Sequence, residues 1–338
     1  MIGLMPPPDR RPVQPDMRNR ALTRRTGVFR EEGAERPAEA PATATPDAAM
    51  GRKATAEPAL ERPAVATAPA LNEHDALPSE AIGRWAKDPD FVTALARGLA
   101  VLLALSDKRR RMSIAQVSHR TGIPRAAARR SLHTLAKLGF VATDEARRFY
   151  LRPRVLSFSH GYLSASPLAV LAQPILDRLG ESLREACSVA TLDGDEIVYL
   201  ARSSSSRIMS PALNVGRRLP AYCTSIGHVL LAHLPPRELD DYLARVRFHP
   251  YTEYTPTSAA KLVPLLAAVR ESGFAFASQQ MEPRLCTLAV PVRDISGHYV
   301  AGINVILQGR LVTATEMAER FLRPLQDAAT ELGSLLIP

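Results

Sequence analysis

Two short stretches concentrate the side chains that can do chemistry. Thr224-Ser225-Ile226-Gly227-His228 sets hydroxyls close to an imidazole, the raw material of a nucleophile and its base. A nucleophile elbow, however, needs glycine two residues before the serine, and Cys223 stands there. Ser225 and His228 also lie too close in sequence to pair at the start of a helix without strain. A hydrolase built on them is the weakest reading of the chain, and no catalytic residue is expected. No phosphate-binding glycine loop occurs. His228, His233 and His249 lack metal-ligand spacing, and Cys187, Cys223 and Cys286, 36 and 63 positions apart, fit neither a disulfide framework nor a zinc knuckle. No metal and no cofactor is expected, and the cysteines read as reduced thiols of a cytoplasmic protein.

The second stretch is Arg125-Ala126-Ala127-Ala128-Arg129-Arg130. On a helix, Arg125 and Arg129 share a face. A guanidinium can bond guanine O6 and N7 in a fork, which assigns this pair to base reading, with Ala126 or Ala127 against a thymine methyl. Arg130, Arg120, Arg147 and Arg148 fall to phosphate oxygens, which set register rather than sequence. The charge distribution agrees. The net charge of +9 divides into −1 over residues 1–90, +11 over 91–165 and −1 over 166–338. One basic segment between two neutral ones is the electrostatic footprint of a double-stranded DNA binder. The neutral second half argues against a basic architectural DNA protein, which would have no use for it.

The elements that must position these residues are legible in the periodicity. Residues 1–85 hold 12 of the 28 prolines and little apolar side chain, which predicts a disordered tail. Asp90 caps a helix with Phe91, Leu95, Leu99, Leu102 and Leu105 as its inner stripe. Ser113 caps a second helix that ends at Thr121-Gly122, and Pro124 opens a third that runs to Leu138, with Ala128, Leu132, Leu135 and Leu138 inward. Two short alternating runs around Thr143-Asp144-Glu145-Ala146 predict a hairpin. Helix, helix, tight turn, helix and hairpin make a winged helix-turn-helix over residues 86–151. A linker covers 152–166, where Leu156, Tyr162 and Leu163 can pack on a partner. An α/β domain follows over 167–338, with helices predicted at 168–187, 226–233, 237–246, 258–273 and 315–336. Strands are predicted at 188–192, 196–202, 286–293 and 298–307, assembled as a mixed sheet flanked by helices. The longest apolar run, 98–105, is far short of the roughly 20 residues of a membrane span. The amino end lacks a basic region ahead of an apolar core, so neither a membrane nor a secretory signal is expected.

The stretch ARGLAVLLALSDKRRRMSIAQVSHRTGIPRAAARRSLHTLAKLGFV resembles the amino domain of the IclR-type transcriptional regulators. RIMSPALNVGRRLPAYCTSIGHVLLAHLP and LAVPVRDISGHYVAGINVILQGR resemble their effector-binding domain, most closely in the branch that controls protocatechuate, 4-hydroxybenzoate and β-ketoadipate catabolism. The resemblance spans about 91–337. It implies an α+β chain: an N-terminal winged helix-turn-helix joined by a linker helix to a GAF-like α/β effector-binding domain. It further implies a homodimer or dimer of dimers, and control by a small carboxylic acid, with a non-aromatic acid of another catabolic pathway as the alternative. The chain departs from the family at Cys223, at His228 and over 283–285.

A carboxylate needs donors that leave no buried charge unpaired. The amino end of the 226–233 helix offers N–H groups, Thr224 and Ser225 add hydroxyls, and Gly227 lets backbone come close. Asn304, in an otherwise apolar strand, must find a partner inside. Met209, Leu219 and Ala221 can wall in a ring, and Arg284 or the Arg217-Arg218 pair can meet the carboxylate. By the resemblance, Cys286 lines the effector pocket, and Ile226, Leu288 and Ile306 are counted with it.

Overall fold

The computed structural model describes residues 77–106, 111–204 and 214–337. The tail expectation therefore lies outside the described residues up to position 76. Its last part is corrected: Pro78–Gly83 forms a helix, α1, and buries Ile82 in the core of the helix-turn-helix.

Helices α2 (Thr93–Ser106), α3 (Ile114–Thr121) and α4 (Arg125–Lys137) are followed by the wing, β1 (Val141–Thr143) paired antiparallel with β2 (Phe149–Leu151). Helix α3 begins in a capping box, Ser113 and Gln116 each bonding the other's backbone N–H, and ends at Gly122 in the left-handed conformation at φ 68°. That turn is tight on both counts. A Cβ on Gly122 would fall 2.1 Å from Ser79 Oγ of α1. Pro124 is the N-cap of α4, one residue earlier than the first helical position expected for it.

The inner stripe of α2 differs from the expectation. Ala100, Val101, Ala104 and Leu105 are buried, whereas Leu95 and Leu99 are 62% and 51% exposed. The helix is apolar around most of its circumference, so the period of its leucines alone could not say which face meets α3 and α4. Leu138, expected inside, is likewise exposed at the end of α4.

A helical turn at Pro153–Val155 leads into α5 (Leu156–Ala165), and α6 (Pro167–Leu183) follows. The second domain is then a six-stranded sheet of order β5-β4-β3-β8-β7-β6: β3 Ala186–Asp193, β4 Glu196–Arg202, β5 Arg218–Pro220, β6 Ala275–Ser278, β7 Leu285–Arg293 and β8 Tyr299–Gln308. Every pair in it is antiparallel, which corrects the expected mixed sheet. Strands β5 and β6, at the two edges, are too short to show an alternation in the sequence.

Helices cover both faces. Against α6, α10 (Ala314–Met317) and α11 (Arg323–Ser334) pack Cys187, Val189, Leu288, Val290, Ile303, Val305 and Leu307. Against α7 (Ser225–Ala232), α8 (Pro236–Arg245) and α9 (Ala259–Ser272) pack Ala186, Ala190, Ile197, Tyr199, Ala289 and Ile306. Central β8 is buried from Ala301 through Leu307 for this reason, since a strand covered on both faces reads as a continuous apolar run. Asn304 interrupts that run.

Candidate functional site

Helix α4 turns Ala127, Ala128, Leu132 and Leu135 into the core of the small domain. Arg125, Ala126, Arg129 and Arg130 lie outward and exposed. The placement corrects Ala127, which is 9% exposed and packs among buried residues instead of facing a base edge. Arg147 and Arg148 are exposed at the wing, where Arg147 is left-handed at φ 56°. Arg148 is already engaged: its backbone N–H donates to Asp144 Oδ1 at 2.8 Å and its guanidinium meets Oδ2 at 3.1 Å, beside Arg111 at 3.2 Å. Those bonds hold the Asp144 carboxyl below the ordinary aspartate range. The wing is thus tied to the chain just before α3. Arg120 lies in the last turn of α3.

In the second domain a cavity of about 40 Å³ lies on the α7 face of the sheet. Its wall includes Tyr199, Leu219, Cys223, Thr224, Ser225, and Asn304. The floor begins with the helical turn Ala221–Cys223, after which Thr224 caps α7 by accepting from the Gly227 N–H at 3.1 Å. The N–H groups of Ser225 and Ile226 open the helix, where no intrahelical acceptor reaches them. Gly227 has another role than the one expected. A Cβ there would fall 2.0 Å from the Ala221 carbonyl oxygen, so the missing side chain lets α7 settle on the turn below it.

The roof is the loop between β6 and β7. Gln280, Met281 and Glu282 come from it, and Ala277, Leu285 and Thr287 from the strands beside it. Gln279 and Arg284, at its ends, are left-handed at φ 58° and 59°. Thr252 Oγ1 donates to the Gln279 carbonyl at 2.6 Å, and buried Thr255 Oγ1 donates to that of Gln280 at 2.7 Å. Cys223 Sγ lies 2.9 Å from Met281 Sδ, joining floor to roof. Burial raises the Cys223 thiol pKa well above its ordinary value, so this sulfur stays protonated.

Three of the polar atoms at this cavity are buried without a hydrogen-bond partner: Ser225 Oγ, Gln280 Oε1 and Asn304 Oδ1. Each such atom costs about 1–3 kcal/mol. That is a large standing penalty for one small space. Among the described residues, no lysine or arginine lines the cavity. Arg284 is exposed on the loop, and Arg218 is committed to Asp193 and Glu196, each at 2.6 Å. Neither Arg284 nor Arg218, both expected to meet a carboxylate, is placed at the cavity wall.

Four further placements differ from expectation or fall outside it. Cys286 and Leu288 point away from the cavity into the α6 and α11 core, because they share a face of β7 with Val290 and Val292 while Leu285 and Thr287 hold the other. Ala221, Ile226 and Ile306 are buried in the α7 core without lining the space. Met209 lies outside the described residues. Tyr199, Cys223, Ala277, Gln280, Met281, Glu282, Leu285 and Thr287 line the cavity without having been expected there. Only Tyr199 left a signal, an aromatic within the short β4 run.

Ser225 and His228 do not pair. The His228 ring nitrogen Nε2 meets the Tyr222 carbonyl at 2.8 Å, and burial pushes the imidazole pKa down to about 4. No helix among the described residues is by itself long and apolar enough to cross a membrane.

Comparison with known proteins covers both domains. The family model for the bacterial transcriptional regulator IclR C-terminal domain matches residues 160–334, and that for the IclR helix-turn-helix domain matches 94–145. The chain is 46% identical over 258 residues to the Pca regulon regulatory protein of Pseudomonas putida, covering 76% of this chain and 88% of that one. It is 36% identical over 252 residues to the p-hydroxybenzoate hydroxylase transcriptional activator of Acinetobacter baylyi, covering 73% and 93%. A crystal structure of a Rhodococcus sp. RHA1 chain described as a transcriptional regulator superposes with a TM-score of 0.62 at 40% identity, covering 73% and 98%.

Proposed function

This chain belongs to the IclR family of bacterial transcriptional regulators, and from that membership we propose how its two sites divide the work. It is a DNA-binding transcription regulator and not an enzyme. The α4 helix enters the major groove, Arg125 and Arg129 reading guanine edges while Arg120, Arg130, Arg147 and Arg148 meet phosphates. The cavity under α7 takes a small carboxylic acid, an aromatic acid or an intermediate of the β-ketoadipate pathway. The relatives' names support that pathway. The observation that carries the effector reading is the trio of partnerless buried polar atoms beside the open end of α7.

Two copies act together. Leu95, Leu99 and Leu103 are spaced by four on α2 and all are more than half exposed, as are Leu156, Phe158 and Tyr162 on α5. A second copy of the same chain covers them, and pairs the two α4 helices for a repeated or palindromic DNA site. Acid binding biases the α5 linker between two arrangements and so changes the spacing of the reading helices. The protein works in the cytoplasm.

Fluorescence anisotropy on DNA from upstream of the protein's own gene, against random DNA of equal length, tests the DNA half. Specific binding tighter than random by about a thousandfold or more is expected at physiological salt. Equal affinity for both rejects sequence reading by α4.

A further inference from the structure

The unpartnered groups at the cavity are not alike. Ser225 can donate and accept, but Gln280 Oε1 and Asn304 Oδ1 only accept. A ligand that brings acceptors alone, such as a bare carboxylate or keto acid, leaves both oxygens as they are. Asn304 Oδ1 sits on a central strand of the sheet, beside Tyr199. The Gln280 amide oxygen has no partner, although the backbone that carries it is held in place. Its own carbonyl accepts from Thr255, the preceding one accepts from Thr252, and the Gln279 side-chain oxygen accepts from the Arg284 N–H at 3.1 Å. A tethered loop that adds a second buried, unsatisfied acceptor to that of Asn304, in a cavity otherwise served by hydroxyls and helix N–H groups, is arranged to receive a donor.

We propose that Gln280 is a specificity-determining residue for the effector: its side-chain oxygen accepts a hydrogen bond from a hydroxyl of the bound acid, so that the pocket takes hydroxy acids over the same acids without the hydroxyl. The inference rests on the effector reading of this cavity given above. Ser225 and the first N–H groups of α7 hold the carboxylate, while the Thr224 hydroxyl is taken up in capping the helix, and Gln280 reads the second polar group. A site built to bond a hydroxyl discriminates strongly, because the analogue without it leaves the acceptor buried and unpaired. Leu219, Ala277 and Leu285 supply the apolar wall between these two demands.

Isothermal titration calorimetry on the full chain tests this, with benzoate, 4-hydroxybenzoate, 3,4-dihydroxybenzoate and 3-oxoadipate as ligands. Unaltered protein is expected to bind a hydroxylated benzoate at least about tenfold tighter than benzoate. Gln280→Leu is expected to bring that ratio to within about twofold while benzoate binding persists, and Gln280→Glu, which keeps an acceptor, to preserve discrimination. Thermal melts of both variants establish that they fold. A ratio unchanged in Gln280→Leu overturns the assignment, as does equal binding of benzoate and its hydroxylated forms by the unaltered chain. Tight binding of 3-oxoadipate, which carries acceptors only, with none of the hydroxylated acids, overturns it as well while sparing the effector reading. Binding of none of the four, with specific DNA binding intact, removes the effector reading and this inference together.

Discussion

The Tyr199 side chain on β4 and the Asn304 side chain on β8 come together across β3, and both line the same cavity. The strand between them carries Ser188 and Ala190 on that face, side chains small enough to be spanned. A shift of register between Val189 and Ala190 skips Leu200 in the pairing of β3 with β4 and brings Tyr199 to the cavity side. Burial raises the Tyr199 phenol pKa, so the group reaches Asn304 as a neutral hydroxyl.

Under the proposed effector reading, Asn304 serves ligand binding at the expense of packing. Asn304→Leu is expected to leave the thermal midpoint unchanged or raised, since it removes a buried atom without a partner. It is also expected to weaken acid binding by about tenfold with DNA binding intact. Calorimetry and anisotropy on one preparation read both, and unfolding of the variant would assign Asn304 to the framework instead.

Arg129 and Arg148 are expected to differ in kind. Arg129→Ala is expected to cost about 1–3 kcal/mol of specific affinity and to relax sequence preference. Arg148→Ala is expected to weaken binding to all sequences alike and to lower the salt slope by about one. Because Arg148 is paired with Asp144 in the free protein, its replacement also loosens the wing. Titrations at four salt concentrations distinguish the two, and identical slopes and ratios for both variants would sink the division of roles.

Gly227→Ala is expected to be destabilising out of proportion to its size. The new methyl would sit 2.0 Å from the Ala221 carbonyl, so backbone must move, at about 1–3 kcal/mol. Urea midpoints measure it, and a neutral result would mean that the turn below α7 yields freely.

His228 makes stability fall in mild acid. Its folded pKa is lowered from 6.5 to about 4 by burial. Between those values the unfolded chain binds a proton that the folded chain does not, so stability is complete above pH 6.5 and declines as pH falls toward 4. The full loss is about 3 kcal/mol. His228→Gln is expected to flatten this part of the profile, and an unchanged slope between pH 6.5 and 4 would contradict the assignment.

The helix-turn-helix was legible because its signals are local. Ser113, Gly122 and Pro124 mark boundaries by their own backbone chemistry, and the charge of the segment needs no fold to be read. The inner face of α2 was not, because a helix with leucines all round keeps no record of its neighbours. The cavity was legible where backbone chemistry marks it, at Thr224, Ser225 and Asn304. Cys286 and Leu288 were misplaced because a one-residue choice of face on β7 depends on a sheet partner that the strand itself does not name. The roof residues Gln280, Met281 and Glu282 sit in a loop with no period, and only its tethers from Thr252 and Thr255 bring it over α7.

The most direct test of the account is a salt-titrated gel shift of the full chain on DNA from upstream of its own gene, with and without 4-hydroxybenzoate, 3,4-dihydroxybenzoate and 3-oxoadipate. The account predicts specific, salt-sensitive binding whose affinity or mobility changes with at least one acid and keeps that change in random competitor DNA. Specific binding indifferent to all three would contradict the effector assignment, and binding no tighter than to random DNA would contradict the reading of α4 itself.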